Sequence, residues 1–296
     1  MNTPIKRTGA LTPAQRASVD RLVEQVASHD GISPLNEVAL FALDGRGHAV
    51  HWLAHRDGEV VGYAQCDRSA GSVQLLVNPA LRRQGIGTAL AEQVRSVEPN
   101  PTWWAFGNLP GARALAERLG VTLQRELLIM ERDLAQDPPE GRPAPEGIVV
   151  RPFRESDAQA LVEVNAEAFA DHPEQGQMSL DDFWMRAGED WFDPEGIVVA
   201  IDDDSGCFLG FHWTKTEHSD PNNPDELMGE VYVIGVAPHA AGRGIGRVLL
   251  DAGLGHLSNK GVRRVRLYVE ASSERVVRMY ESARFVTVNR DASYSS

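Results

Sequence analysis

A glycine-rich turn in the second half of the chain has the composition and spacing of an anion-binding site. Residues 231–236 form an apolar run rich in β-branched side chains, typical of a buried strand, and Pro238 ends it. Gly242, Gly244 and Gly246 then leave backbone N–H groups uncovered just before an apolar helical stripe. Because a helix N-terminus carries unpaired N–H groups and a positive dipole end, we predict that this turn binds phosphate oxygens.

Two common phosphate-binding motifs do not fit this turn. A P-loop requires Gly-Lys-Ser/Thr, whereas Gly246 is followed by Arg247 and Val248. A dinucleotide-binding fingerprint requires a third glycine where Arg247 stands. The turn resembles instead the acetyl-CoA pyrophosphate loop of the GNAT N-acetyltransferase superfamily, Arg/Gln-x-x-Gly-x-Gly/Ala, with Ala241 at its first position. Since that loop binds phosphates largely through backbone N–H groups, we expect Ala241 to weaken contacts without removing the site.

The same unit occurs twice in the chain. Residues 236–250, VAPHAAGRGIGRVLL, align with residues 77–91, VNPALRRQGIGTALA, at a spacing of 159 positions. Each copy follows an apolar strand. Repeats of this length indicate duplicated domains, because solenoid units recur every few tens of residues.

The patterns around each turn predict an α+β fold with two tandem GNAT domains. Each would be a mostly antiparallel mixed sheet, flanked by helices, with a splayed central strand pair. Residues 135–147 contain four prolines and two glycines, which indicates a semi-rigid linker. The predicted domains are therefore 1–134 and 148–296. Periodicity predicts helices near 13–27, 35–43, 86–97, 111–119, 157–169, 180–188, 245–259 and 273–283, and strands near 49–55, 59–66, 73–77, 102–106, 124–132, 148–152, 197–202, 208–216, 231–236, 265–270 and 285–289.

Composition limits the classes of partner. The chain has 296 residues, enough for two domains, and its formal charge of -13 argues against nucleic acid and anionic membranes as partners. No run is long and apolar enough to span a membrane. Cys66 and Cys207 form no CxxC pair, so we expect a reduced, cytoplasmic protein rather than a disulfide framework. We expect a monomer.

The superfamily resemblance implies acetyl-CoA as the acetyl donor and no metal. In these enzymes the pantetheine arm inserts between the two splayed strands, and the pyrophosphate lies on the glycine loop. The implied contacts in the second half are Ile234, Gly235, Val236, Ala241, Gly242, Arg243, Gly244, Ile245, Gly246, Arg247, Ser273, Glu274, Arg275, Val276, Val277 and Arg278. The implied contacts in the first half are Leu75, Leu76, Val77, Arg83, Gln84, Gly85, Ile86, Gly87 and Thr88.

Transfer of an acetyl group to an amine requires a base for the amine and a proton for the departing thiolate. By resemblance, Tyr280 stands where GNAT enzymes often place the acid, and Glu230 stands where they often place a water-mediated base. Each has an ordinary structural alternative, a packing aromatic and a solvated strand-edge charge. The 159-residue spacing puts Gly71 opposite Glu230, and alignment of the helices puts Leu115 opposite Tyr280. We therefore predict that the second half catalyses and the first half does not.

Longer motifs resemble a narrower family, the mycothiol synthases, which are tandem GNAT enzymes that acetylate the cysteinyl amine of cysteinyl-glucosaminyl-inositol in the last step of mycothiol formation. The motifs are residues 171–176 (DHPEQG), 191–196 (WFDPEG), 210–215 (GFHWTK) and 229–233 (GEVYV). The resemblance implies a thiol-sugar amine as substrate. Its implied contacts are Glu37, Glu174, Lys215, Glu230 and Tyr268.

Several alternatives stay open at this point. The chain could acetylate another amine, such as an aminoglycoside or a protein N-terminus, or it could be a non-catalytic acetyl-CoA sensor. Glu37 could be an ordinary solvated helix residue, and Ser273 could be a helix cap. His172 and His212 lack paired metal-ligand spacing, so we interpret them as packing or hydrogen-bonding residues.

Overall fold

The computed structural model describes residues 3–170, 175–220 and 223–296, with only the backbone described at 219–220 and 223–226. The chain forms two compact units. The first comprises residues 1–128, 270–272 and 289–296, and the second comprises residues 129–269 and 273–288. The last strand thus belongs partly to the first unit, although it follows the second unit in sequence.

The first unit contains a mixed sheet with helices packed on it. Its strands lie in the order β1-β2-β3-β4-β5, antiparallel except for the parallel pair β4–β5, and the end of β12 (Val286–Ser295) pairs with β5. Its elements are β1 (Ile5–Thr8), α1 (Pro13–Asp30), α2 (Glu37–Leu43), β2 (Ala49–Arg56), β3 (Glu59–Asp67), β4 (Ser72–Val77), α3 (Ile86–Arg95), β5 (Thr102–Ala105) and α4 (Pro110–Leu119). Strand β6 (Thr122–Asp133) follows.

The second unit repeats this order. Its strands lie in the order β7-β8-β9-β10-β11, again antiparallel except for the parallel pair β10–β11. Its elements are β7 (Ile148–Pro152), α5 (Ala158–Ala168), α6 (Leu180–Ala187), β8 (Ile197–Asp202), β9 (Phe208–Asp220), β10 (Asn223–Val236), α7 (Ile245–Asn259), β11 (Arg264–Glu270) and α8 (Glu274–Ser282), and the chain ends with β12 (Val286–Ser295).

The two glycine turns have the same backbone conformation, which confirms the duplication. Arg83 and Gly242 both have left-handed φ angles, 64° and 84°. Gly85 and Gly244, with φ of 83° and 82°, stand immediately before α3 and α7. Glycine adopts this conformation without steric cost, whereas Arg83 adopts it with a side chain.

In each unit a glycine on the third strand of the repeat allows the helix behind it to approach. A Cβ on Gly62 would lie 2.9 Å from Ile86 and 3.0 Å from Leu90, and a Cβ on Gly210 would lie 3.2 Å from Leu249. Leu90 and Leu249 are equivalent in the repeat. The close packing that positions each glycine turn therefore depends on the absence of a side chain on the neighbouring strand.

Residues 135–147 are held on the second unit by hydrogen bonds. The Asp251 carboxylate on α7 accepts from the backbone N–H groups of Glu140 (2.9 Å) and Arg142 (2.7 Å). Arg132 donates to the carbonyls of Asp137 and Pro138. These residues consequently belong to the second unit and are not a free tether.

The predicted helices and strands are confirmed, with three differences. Strand β1 was not predicted, because its four residues carry no clear alternation. Strand β10 begins at Asn223, so Glu230 lies inside the strand and not at its start, and pairing with β9 extends it through residues with poor strand propensity. Strand β12 runs on to Ser295, where pairing with β5 supplies hydrogen bonds that the local sequence does not reveal.

Candidate active site

The two parallel strands of the second unit separate at Glu230. The β10–β11 ladder pairs Met228 with Arg264, Gly229 with Val265 and Glu230 with Arg266. Beyond Glu230, strand β10 stays paired with β9 alone. The splayed strand pair expected from the sequence is therefore present, and the predicted base lies at the point of divergence.

Glu230 lies in a row of four charged residues that crosses the second unit from strand to strand. Lys215 on β9 is its register partner on one side and Arg266 on β11 on the other. Register neighbours have Cβ atoms about 5 Å apart, and opposite charges in such positions attract. Arg266 in turn donates to the Glu131 carboxylate, with Nε at 2.8 Å. The row thus alternates in sign over four residues of one unit.

Arg266 also connects this row to Tyr268. Burial disfavours the charged guanidinium of Arg266, but hydrogen bonds to Glu131 and Tyr268 outweigh that effect and raise its pKa. Tyr268 is 45% exposed, so its ring remains accessible to a ligand. Lys215, Glu230 and Tyr268, three predicted substrate contacts, therefore belong to one connected part of the second unit.

Lys215 is almost completely buried, at 5% exposure. Its Nζ lies 4.8 Å from the centre of the Trp191 ring and 5.5 Å from that of Tyr232. It also makes a 2.6 Å ion pair with Glu217. These contacts compensate a buried ammonium that would otherwise be costly to desolvate.

Tyr280 is a buried residue of α8, with 4% exposure and an edge-on contact to Phe285 at 5.8 Å between ring centres. Burial raises the pKa of its phenol, so the hydroxyl keeps its proton at neutral pH. The preceding residue, Met279, lies beside Gly246 in α7: a Cβ on Gly246 would be 3.7 Å from the Met279 sulfur. This contact places α8 against the glycine turn.

The loop after β10 is open to a ligand. Ala241, Gly242, Arg243 and Gly244 are exposed, while Ile245 is buried and anchors the start of α7. Ser273 occupies the N-cap position of α8, yet its side chain makes no capping hydrogen bond. Ser273 is therefore the N-cap residue by position, as the alternative interpretation expected, but its side chain does not cap the helix.

The first unit contains a cavity of about 490 Å³ between β4, β5 and α3. This volume is within the range of small-molecule sites. Every first-half residue predicted to contact acetyl-CoA, except Gln84, lines it. Arg82, at the first motif position, donates to both oxygens of Asp30 at 2.8 and 2.7 Å, and this hydrogen bonding lowers the pKa of Asp30.

The first unit has no counterpart of the two residues predicted to handle protons, Glu230 and Tyr280. The structure places the equivalent first-unit positions one residue away from those given by the sequence alignment. Tyr232 forms a β-bulge in β10, an extra residue that changes the first-unit equivalent of Glu230 from Gly71 to Ser72. The turn after α8 has Arg284 at φ 64°, matching Gly120 at φ 67°, which places Ala116 rather than Leu115 opposite Tyr280. Neither Ser72 nor Ala116 can serve as a carboxylate base or a phenolic acid.

Two predicted contacts are not placed beside this row. Glu37 is the first residue of α2 in the first unit and is half-buried. Glu174 lies outside the described residues, as does His172. His212 is fully buried, with Nδ1 2.9 Å from the Leu249 carbonyl, which confirms it as a packing and hydrogen-bonding residue.

Comparison with known proteins agrees with this geometry. Residues 160–285 match the Acetyltransferase (GNAT) family and residues 47–121 match an Acetyltransferase (GNAT) domain. Mycothiol acetyltransferase of Propionibacterium freudenreichii is 46% identical, over 96% of this chain and 90% of that protein. The enzyme of the same name from Actinosynnema mirum is 41% identical, over 97% of each chain.

The chain belongs to the mycothiol acetyltransferase family. It is accordingly an N-acetyltransferase of the GNAT type, a class that uses acetyl-CoA. Among solved structures, a GCN5-related N-acetyltransferase from Sphaerobacter thermophilus has a TM-score of 0.74 and 26% identity, over 100% of this chain and 96% of that one. A tandem GNAT protein from the clavulanic acid pathway shares the fold, with a TM-score of 0.74 and 17% identity over 99% and 98% of the two chains.

Residues 3–170, 175–220 and 223–296 contain no group of three His, Cys, Asp or Glu side chains placed to hold a metal ion. Within the same residues, no helix is long and apolar enough to cross a membrane.

Sequence reasoning missed Arg266 and Trp191 as parts of the candidate site. Alternation along β11 could have put Arg266 on the face of Tyr268, but only the strand register brings it beside Glu230.

Proposed function

We propose that the second unit transfers the acetyl group of acetyl-CoA to the cysteinyl amine of cysteinyl-glucosaminyl-inositol, the final step of mycothiol biosynthesis. The observation that carries this proposal is the position of Glu230. It lies at the divergence of β10 and β11, where the superfamily inserts the pantetheine arm, and Lys215 and Arg266 flank it in register.

In the proposed reaction, the amine attacks the thioester directly. Glu230 accepts the ammonium proton through a water molecule, which leaves a neutral amine as nucleophile. The C–N bond forms as the acetyl carbonyl becomes tetrahedral, and collapse of that intermediate breaks the C–S bond. Tyr280 donates its proton to the departing thiolate, a role that suits a phenol kept protonated by burial. The second nitrogen proton, released as the amide forms, returns to the Tyr280 phenolate, and Glu230 releases its proton to solvent.

The chemistry of the proposed substrate contacts suits a cysteinyl sugar. Lys215 and Tyr268 can donate to ring or inositol oxygens, while the Glu230 carboxylate can accept from an ammonium or a hydroxyl. We further propose Glu174 and Glu37 as contacts, on family resemblance alone. Acetyl-CoA would lie along residues 234–236, with its pyrophosphate on residues 241–247 and its thioester toward residues 273–278.

The first unit is proposed to bind acetyl-CoA without catalysing transfer. Its cavity is lined by Leu75, Val77 and Gly85, the equivalents of Ile234 and Val236 on β10 and of Gly244 in the glycine turn. Ser72 and Ala116 stand where the second unit has Glu230 and Tyr280, so a bound thioester would meet neither base nor acid.

The reaction is tested by incubating the protein with acetyl-CoA and cysteinyl-glucosaminyl-inositol and following the gain of one acetyl group on nitrogen by mass spectrometry. We expect Glu230→Gln and Tyr280→Phe each to reduce kcat by at least about 100-fold, the usual contribution of a positioned acid or base. No product from a protein that still binds acetyl-CoA would contradict the substrate assignment. Full turnover by both variants would contradict the assigned roles.

The division of labour is tested with a matched pair, Gly87→Leu and Gly246→Leu. The two glycines are equivalent in the repeat, and a Cβ on either would come no nearer than 3.6 Å to its neighbours, so the first side-chain carbon has room at both sites. Circular dichroism of each variant checks that it folds. Calorimetry should show one acetyl-CoA site lost in each. Turnover should survive Gly87→Leu and disappear in Gly246→Leu; the reverse pattern would assign catalysis to the first unit.

A further inference from the structure

The Lys215 ammonium lies over the faces of two aromatic rings. Its partner Glu217 has a side chain that is 57% exposed, so water and salt weaken that ion pair. The rings of Trp191 and Tyr232, in contrast, face Nζ from inside the unit, at 4.8 and 5.5 Å. A cation over a desolvated indole face is attracted more strongly than an exposed ion pair.

The two rings are themselves fixed by their neighbours. The Trp191 and Tyr232 rings meet edge to face at 5.0 Å, and both pack on Trp213. The Tyr232 hydroxyl accepts a hydrogen bond from Arg186 Nε at 3.0 Å. Neither ring can rotate away without disturbing this cluster, so the position of Nζ is fixed as well.

The segment that carries Trp191 is also anchored to α7. The carboxylate of Asp193 lies 3.1 Å from His256 Nε2, and it accepts from Lys260 Nζ at 2.7 Å. It also accepts from its own chain, from the Glu195 N–H at 3.0 Å. The N-terminus of α7 forms the glycine turn, so one helix positions both the acetyl-CoA loop and the segment with Trp191.

We propose that Trp191 is a positioning residue, which holds the Lys215 ammonium over its ring so that the ammonium can donate to a hydroxyl oxygen of the sugar substrate. This inference rests on the proposed function, in which Lys215 contacts the substrate. Trp191 acts through Lys215 and takes no part in proton transfer. Loss of the indole therefore weakens substrate binding and leaves the chemical step intact.

The kinetic test compares Trp191→Leu with Trp191→Phe. The leucine variant should raise KM for cysteinyl-glucosaminyl-inositol about tenfold, the factor expected from loss of a desolvated cation–π contact. Its kcat and its KM for acetyl-CoA should change by less than about twofold, and phenylalanine should restore most of the loss. Trp184→Leu, which removes a ring packed on Phe183, is the control and should leave KM unchanged. An unchanged KM in Trp191→Leu, or an equal rise in Trp184→Leu, would overturn the proposal.

A second readout does not depend on the reaction. The chain has three lysines, Lys6, Lys215 and Lys260, so protein labelled with [13Cε]lysine gives three resolved side-chain signals. The Lys215 Hε signal, assigned by its absence in Lys215→Met, should lie upfield because of the Trp191 ring current. It should move downfield in Trp191→Leu and return toward its place in Trp191→Phe. A signal that does not move would overturn the proposal that Trp191 positions the Lys215 ammonium. A signal that moves, in a protein that does not acetylate cysteinyl-glucosaminyl-inositol, would instead reject the proposed function.

Discussion

His212 provides the sharpest prediction about stability. It is fully buried on β9, and its Nδ1 lies 2.9 Å from the Leu249 carbonyl, which can only accept. The proton of the neutral ring must therefore be on Nδ1, and the buried Nε2 has no hydrogen-bond partner among the residues that the structure describes. A second proton on Nε2 would place an unpaired charge in the core.

The size of the effect follows from the pKa. Burial lowers the pKa of His212 to about 4, against 6.5 for an unperturbed histidine, and nearby His256 adds to the effect. Below pH 6.5 His212 binds a proton in the unfolded chain but not in the folded chain. The free energy of unfolding therefore falls as the pH drops from 6.5 to about 4. The loss attributable to His212 should be about 2 kcal/mol at pH 5 and about 3 kcal/mol at pH 4.

The assay compares the protein with His212→Leu at pH 7.5 and pH 5.0. Urea unfolding is followed by hydrogen-exchange mass spectrometry on peptides from α7, so that the midpoint reports the second unit. Any change in the free energy of unfolding that the leucine itself causes is present at both pH values, so it cancels when the two pH values are subtracted. Titration of buried His51 occurs in both proteins and cancels when the variant is compared with the parent. On acidification from pH 7.5 to 5.0, the free energy of unfolding of the variant should fall by about 2 kcal/mol less than that of the parent. Equal losses in the two proteins would refute the reasoning.

Two further predictions concern backbone positions. Gly253→Ala in α7 should cost at least about 2 kcal/mol, because its Cβ would overlap the His212 ring, whereas Gly255→Ala in the same helix meets nothing within 4 Å and should stabilise by about 0.5–1 kcal/mol. Thermal unfolding measures both, and similar melting temperatures would contradict the packing argument. The backbone strain at Arg284, which has a φ angle of 64°, should be relieved by Arg284→Gly. Arg284→Ala loses the same ion pair to Asp137 but keeps a Cβ, so the glycine variant should exceed it by about 1 kcal/mol in urea unfolding, and equal stabilities would exclude backbone strain.

Much of the fold could be predicted because its signals are local. The glycine turn, the proline before it and the apolar strand are adjacent in sequence, and their repetition after 159 residues identified two copies of one domain. Helix caps and periodicity act over a few residues, so most elements could be predicted close to their true ends, whereas β10 and β12 extend further because they pair with distant strands. The charge on Glu230 and the phenol of Tyr280 were also visible as departures of one copy from the other.

The remaining features depend on strands that meet across long stretches of chain. The bulge at Tyr232 shifts the register by one residue, which changes the first-unit counterpart of Glu230 from Gly71 to Ser72. The row of Lys215, Glu230 and Arg266 exists only because three strands pair in one register. Sequence thus determined which chemical groups the chain carries and how each segment folds locally. Tertiary structure decided which groups face one another, because backbone pairing between distant strands, and not the order of residues, sets the distances at which charges and rings interact.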